Sequence, residues 1–425
     1  MMLEDLFQYI WKMKLFDSSN LQTTAGESIT IVQVGMHNLN AGPDFFNAKI
    51  KIDNTLWAGN VELHVKSSDW LLHKHQNDLS FQNIILHVVY LNDKPLFYAD
   101  GTPIKTLVLK DHIPKEVINK YKTFKEHHTK IACEKSISHV PKAFVHTYLE
   151  KIIVSRLAHK SQHIENLLAE NQNNWEQSFY MQLAANFGFK VNQVPFELLA
   201  RNTPLSIIAK HKGNLQQLEA LLFGQAGFLN DTFTESYPLL LQNEYAYLKK
   251  KYQLNGIDGH LWKLSRMRPV NFPTIRIAQF AALIHQSSHL FSKIIATQAP
   301  TELIKLFKVA ASPYWDNHYT FNASALPLKK NIGNTAIENL IINTIVPFIF
   351  VYGKHYGNEE KCELALQLLE KINPEKNTIT QLWNALGIKA ENALQSQALI
   401  ELKNNHCDLK KCLQCGIGHF IIKNN

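Results

Sequence analysis

The sequence predicts an α+β protein: an N-terminal α/β domain built on a mixed sheet, followed by a larger all-α domain. Three observations carry this. Up to about residue 110, short runs of β-branched and aromatic residues alternate with polar ones at period two. From Ala143 to about Leu402, apolar residues recur every three or four positions instead. Between them lies a basic, histidine-rich stretch with Pro114 and Pro141 near its ends. The expected domains are 1–110, a connector 111–140, a helical domain 141–402 and a cysteine-containing tail 403–425.

In chain order, Leu3–Phe16 has helical spacing, with Glu4 and Asp5 early and Lys12 and Lys14 late, which suits a helix dipole. The turn Ala25-Gly26-Glu27 precedes a strand from Ile29 to Val34, and Gly35–Gly42 reads as a polar loop. Phe45–Ile52 alternates as a half-buried strand, and after Asp53-Asn54 the next strand runs from Leu56 to Lys66. Ser67-Ser68-Asp69 offers N-cap chemistry for a helix over 69–79. Asn83–Leu91 is nearly continuously apolar, as a central strand would be, and Thr106–Leu109 is extended. The helical domain shows apolar stripes over Val145–Leu168, Glu176–Phe187, Leu215–Phe223 and Ile275–His285.

Composition sets limits. The chain has 425 residues, 45% hydrophobic and 19% charged, which is ordinary for a core-forming protein. A formal charge of +8 allows a polyanion partner such as DNA or RNA without requiring one. No run of about 18 apolar residues stands out, so no membrane span is expected. The N-terminus lacks the charge pattern of a signal peptide, and five cysteines is an odd number for a disulfide framework. A reducing, cytoplasmic setting is the expectation.

The candidate chemistry centres on 42–66. In a strand, alternate side chains share a face, so Glu62, His64 and Lys66 line one side and Val61, Leu63 and Val65 the other. Asp44 stands at the mouth of the preceding strand. Carboxylates suit a hard cation such as Mg²⁺, which neutralises charge on a phosphodiester and helps to aim a hydroxide. His73, His75 and Asp78 follow, but on a helix residues two apart point to different faces, so an N-capped helix packing Trp70 on the sheet is preferred. His87, in an apolar strand, reads as a hydrogen-bonded core histidine that would reach the cluster if its strand adjoined Glu62.

In the tail, Cys407, Cys412 and Cys415 form C-x4-C-x2-C in a polar, glycine-containing segment. Thiolates so spaced suit Zn²⁺ or an iron–sulfur cluster. Cys133 is the best fourth ligand, with His406 and His419 as runners-up. Cys362 reads as core. Arg266, Arg268 and Arg276 gather near one loop–helix junction, where they would grip phosphate or, by slight preference, salt-bridge within the helical domain.

The order helix–strand–strand–strand–helix–strand, with Pro43-Asp44 and Glu62 placed as above, resembles the core of the PD-(D/E)XK nucleases, a restriction-endonuclease-like fold. The resemblance implies Asp44 and Glu62 as Mg²⁺ ligands and a lysine that handles water. Here His64 occupies the lysine's position and Lys66 follows two residues on. Some nucleases of that superfamily similarly hold an iron–sulfur cluster with three C-terminal cysteines and one distant one. In those the distant cysteine precedes the core, whereas Cys133 follows it.

Longer motifs cover nearly the whole chain: Asn-x-Asn-Ala-Gly-Pro-Asp-Phe (38–45), Gly-Asn-Val-Glu-Leu-His (59–64), Ser68-Asp69-Trp70 with His73 and His75, Glu-Ala-Leu-Leu-Phe-Gly-Gln-Ala-Gly (219–227), Arg-Met-Arg-Pro (266–269) and the closing cysteines. In these the chain resembles a bacterial family, domain of unknown function 2851, a resemblance that implies no activity. The expected function is therefore a metal-dependent nuclease, or a nuclease-like nucleic-acid-binding protein, with Asp44, Glu62, His64 and Lys66 at its site. The alternatives are a non-catalytic scaffold with a structural metal and a hydrolase of another phosphate substrate.

Overall fold

The computed structural model describes residues 2–98, 100–126, 129–287, 289–297 and 299–424. They divide into two compact units, 1–148 with 402–425, and 149–401. An N-terminal mixed sheet followed by a mostly helical region makes the protein α+β.

The first unit opens with helix α1 (Glu4–Met13), whose apolar face Leu6, Phe7, Ile10 and Trp11 is buried. It closes at Lys14, in the left-handed region with φ 50°. The strands are β1 (Ile29–Gln33), β2 (Met36–His37), β3 (Phe45–Ile52), β4 (Thr55–Lys66), β5 (Ile84–Leu91) and β6 (Thr106–Val108). The sheet order is β1-β3-β4-β5-β6, with β2 on β3. β1, β3 and β4 run antiparallel; β5 is parallel to β4, and β6 to β5. Strand β2 lies where a polar loop was expected, and it pairs Met36 with Phe46 and His37 with Phe45.

β4 is a central strand, and beyond Gly59 both its faces are covered: Val61 and Leu63 are buried on one side, Glu62 and His64 on the other. The parallel step to β5 needs a crossover. That crossover is not the single helix expected over 69–79. It is one short helix, α2 (Asp69–Leu72), then 3₁₀ turns at His75–Asn77 and Leu79–Phe81. The break is at Lys74, which adopts φ 61°. Trp70 and Phe81 pack with Ile84, Leu96 and Ile104 beneath it.

The stretch expected to be a bare connector is folded into this unit. It carries α3 (Lys115–Glu126), with Val117, Tyr121 and Phe124 buried, and a turn in which Cys133 is buried. The tail belongs to the same unit. Its last helix, Gly416–Lys423, packs on α3, and Phe420 lies against Phe144 with centroids 4.9 Å apart.

The second unit contains the helices expected there: most of α4 (Lys142–Glu170), then α5 (Trp175–Phe187), α6 (Gln193–Asn202), α7 (Leu205–His211), α8 (Leu215–Gln225), α9 (Ser236–Tyr252), α10 (Pro273–Gln286) and others to Glu401. It is not wholly helical, because a hairpin of β7 (His318–Thr320) and β8 (Ala323–Ser324) turns at Asn322, φ 58°. α8 meets α9 closely at Gly224, where a Cβ would fall 2.1 Å from the Tyr245 ring. The sequence reading also missed one apolar run. Asn334–His355 is a continuous helical stretch, long enough to span a bilayer, whose most apolar window has mean hydropathy 1.5, yet 72% of that window is buried inside the protein, as in a core helix.

Candidate functional site

The site grows from the pairing of β3, β4 and β5. Phe45 pairs with Val61, which sets Asp44 beside Glu62, and Glu62 pairs with His87 of β5. Glu62, His64 and His87 are all buried, at 5%, 1% and 0% exposure. A carboxylate and two imidazoles in such a place need partners.

They find them in one another. The Asp44 backbone N–H donates to Glu62 Oε2 at 3.0 Å, and the Leu63 N–H donates to Asp44 Oδ2 at 3.0 Å. This reciprocal clamp ties the mouth of β3 to β4. Gln8 of α1 donates to Asp44 Oδ1 at 2.9 Å. The other Glu62 oxygen, Oε1, lies 3.3 Å from His75 Nε2 and 3.7 Å from His64 Nε2. His64 Nδ1 is 2.9 Å from His87 Nε2, and His64 Nε2 is 3.2 Å from His73 Nδ1.

His64, His73 and His75 each offer a ligand nitrogen, and these nitrogens all lie within 4.8 Å of one another. The left-handed Lys74 makes this possible. A continuous helix would aim residues 73 and 75 to different faces, and the kink turns both toward His64. Here the preference for a plain N-capped helix is corrected. Phe81 stacks on the His75 ring, with centroids 3.8 Å apart, and Trp70 contacts His64, His75 and His87 edge-on or tilted.

Electrostatics fit a metal-ligating role. Burial, reinforced by neighbouring imidazoles, pushes His64 down to about 2 and His87 down to about 3, so both rings are neutral and keep a lone pair. Burial, then the charge of Glu62, pushes Asp44 up to about 7 against its hydrogen bond from Leu63. The Nε2 of His75 and the Nδ1 of His87 are buried without a hydrogen bond. The donor set of imidazoles plus one carboxylate oxygen suits Zn²⁺, Mn²⁺ or Fe²⁺ better than Mg²⁺, which prefers oxygen throughout.

Of the expected site residues, Asp44, Glu62 and His64 come together, and Lys66 does not. Lys66 is exposed at the end of β4, its backbone N–H donating to Asp69 Oδ2. His73, His75 and His87 complete the cluster. Asp78 caps the 3₁₀ turn that follows, accepting from the Ser80 N–H. A cleft of about 680 Å³ adjoins the cluster, lined by Trp57, Trp70, His75, Phe81, Tyr98 and Lys105 among others. Trp70 and His75 belong to both.

A second group lies in the same unit. Cys133, Cys407, Cys412 and Cys415 line one small cavity, with His406 also in its wall. Burial pushes the Cys133 thiol up to about 12 and Cys412 up to about 11, and in each the neighbouring cysteines add to the shift. Burial raises the Cys415 thiol as well, and the Gly418 and Ile417 backbone N–H groups and the Tyr148 hydroxyl, which point at its sulfur, oppose that shift without reversing it. Gly418 is required there, since a Cβ would fall 2.2 Å from the Cys412 carbonyl oxygen. His419 is hydrogen-bonded to the Tyr9 hydroxyl instead. Cys362 belongs to the second unit, its sulfur 3.7 Å from the Phe350 carbonyl oxygen.

No curated protein and no solved structure gives a significant match to this chain. One family does, described as a protein of unknown function (DUF2851), and its match runs over residues 4–378. The motifs at 38–45, 59–64 and 219–227, and with them Asp44, Glu62, His64, His73, His75 and His87, all fall inside that span, and the chain belongs to this family.

Proposed function

We propose that the first unit is a divalent-metal-dependent phosphodiester hydrolase, a nuclease built on a PD-(D/E)XK-like sheet whose ion is a transition metal. The single observation that carries this is the convergence of the His64, His73 and His75 nitrogens, with Glu62 Oε1 beside those of His64 and His75, next to an open aromatic cleft. The strand order supports the fold assignment: an antiparallel β1-β3-β4 followed by parallel β5 through a crossover. A bound ion at this place would polarise a phosphoryl oxygen and acidify a water.

The protein's own residues then divide the work. His64, His73 and His75 would hold the ion, with Glu62 Oε1 beside two of them. Asp44 fixes Glu62 through its backbone N–H and fixes β4 through its carboxylate, so it acts as a positioning residue. His87 orients His64. Trp57 and Tyr98 offer faces on which bases would stack, and Lys105, paired with Glu27, stands at the cleft wall. Lys66 has no place in this scheme.

The test is incubation of the purified protein with single- and double-stranded DNA and RNA, with Mg²⁺, Mn²⁺, Co²⁺ or Zn²⁺ in turn. Cleavage with a transition ion, lowered at least 100-fold by Glu62→Gln, is the expected result. A protein that binds Co²⁺ at the histidines yet cleaves nothing sinks the nuclease reading.

The cysteines favour a second, compatible reading, a structural metal in a binding scaffold. A single tetrahedral Zn²⁺ draws its thiolates to roughly 4 Å of one another, given Zn–S bonds of about 2.3 Å. Cys133, Cys407, Cys412 and Cys415 line one cavity, so the same thiols are available to such an ion. They would equally serve an iron–sulfur cluster, whose ligands stand further apart.

A further inference from the structure

The second unit has five-residue economy in arginine: the chain holds only Arg156, Arg201, Arg266, Arg268 and Arg276. Among the described residues, the arginine ion pairs are those of Arg156 and Arg201. The expectation that Arg266, Arg268 and Arg276 salt-bridge within the helical region is therefore corrected.

Arg276, in the first turn of α10, is only 7% exposed. Its Nη1 donates to Gln279 Oε1 at 2.9 Å and its Nη2 to Asn271 Oδ1 at 2.7 Å. The guanidinium carbon is 4.7 Å from the centroid of the Phe189 ring. The Nε–H is buried with no partner. A guanidinium carries five N–H donors, so most remain unspent, and both acceptors are neutral amides. A cation withdrawn from water without a counter-charge is costly. Burial pushes Arg276 down to about 10, and no acid opposes it.

Arg276 lines a cavity of about 360 Å³ together with Arg268, Asn271, Gln279, Lys329 and Lys330. No aspartate or glutamate is in its wall. Lys330 is 2% exposed and is also satisfied by neutral groups. Its ammonium donates to the backbone carbonyls of Asp316 and Leu328 and lies 4.1 Å from the centroid of the Tyr319 ring. Gln279, which holds Arg276, donates its amide to the Lys330 carbonyl at 3.0 Å, so the two buried cations are braced together. Two exposed cations, Arg268 and Lys329, stand at the same cavity.

We propose that this cavity is a binding site for the phosphoryl group of a small molecule, with the unspent N–H groups of Arg276 as the anchor. Guanidinium matches phosphate oxygens with paired hydrogen bonds, and the acid-free wall excludes cations. The volume is at the low end for ligand pockets, so it fits a phosphate monoester of nucleotide size rather than a polymer. The site is independent of the histidine cluster and stands or falls separately from the hydrolase reading.

The experiment is calorimetric titration and thermal melting of the full chain with inorganic phosphate and, separately, a nucleoside monophosphate. At least one probe is expected to bind with submillimolar affinity and to raise the melting temperature. Arg276→Gln is expected to lower that affinity at least tenfold and to erase the shift, while the unliganded melting temperature stays level or rises because an uncompensated buried charge is gone. Arg276→Lys keeps the charge and loses the fork, and should bind with intermediate affinity. Arg268→Gln, at an exposed position, leaves the fold alone and should cost three- to tenfold in affinity. Absence of binding by both probes overturns the proposal, and so does unchanged affinity in Arg268→Gln or an equal melting shift in Arg276→Gln.

Discussion

Single residues show most sharply how burial sets chemistry. Glu219 in α8 is 1% exposed, with the Tyr237 hydroxyl donating to one of its oxygens and the other buried without a hydrogen bond. Burial pushes it up to about 7. An acid whose folded pKa lies above its unfolded value holds more protons when folded, so its contribution to stability is complete below about pH 4.5 and is lost as pH rises through about 7. Glu219→Gln should therefore stabilise the protein at pH 8, by on the order of 2 kcal/mol, and flatten the melting temperature between those pH values. A pH profile unchanged by the substitution would contradict this. At the candidate site, Glu62 and His64 were legible because strand alternation alone puts them on one face. The clamp on Asp44 was not legible, since it uses backbone N–H groups that carry no residue signature. Asp44→Ala should leave the Leu63 N–H without its acceptor and cost about 1–3 kcal/mol in chemical denaturation, with Asp44→Asn costing less.

Elements were read well where periodicity was long and poorly where one dihedral decided the outcome. β3 has the bounds its alternation implies, and α5 and α8 fall where their apolar stripes lie. The crossover after β4 did not, because Lys74 gives no sequence sign of a positive φ in the way that glycine does. That single kink converts an ordinary capped helix into the arm that brings His73 and His75 to His64. Lys74→Gly should keep Co²⁺ affinity at the histidines and leave stability level or slightly raised. Lys74→Val, β-branched in a left-handed position, should cost about 1–2 kcal/mol and weaken Co²⁺ binding at least tenfold, as read by visible absorption. β2 was missed because two residues are too few to show a period.

At the scale of the whole molecule, the change from sheet to helices was visible in the switch of period from two to about 3.6. The return of the tail to the first unit was not legible: Cys133 as a fourth ligand tied the tail only to the connector expected at 111–140, and no periodicity marks it. Purified under anaerobic conditions, the protein should carry metal at these thiols, and iron with acid-labile sulfide would assign a cluster. Zinc alone at one per chain would instead assign a mononuclear site, and a metal-free protein would remove the centre altogether. Cys412→Ser should abolish the metal and expose the segment after Glu401 to limited proteolysis, detectable by mass spectrometry. The backbone around these sulfurs is specified by Gly416 and Gly418, whose added Cβ atoms would strike Tyr148 and the Cys412 carbonyl.

Because the first unit takes residues from both ends of the chain, it cannot be completed in the order in which it is translated. The uninterrupted 149–401 segment emerges from the ribosome while α3 and Cys133 still await the helix that will cover them. A nascent chain truncated near Glu401 would thus present unfinished apolar surface, the kind of surface that quality control discards.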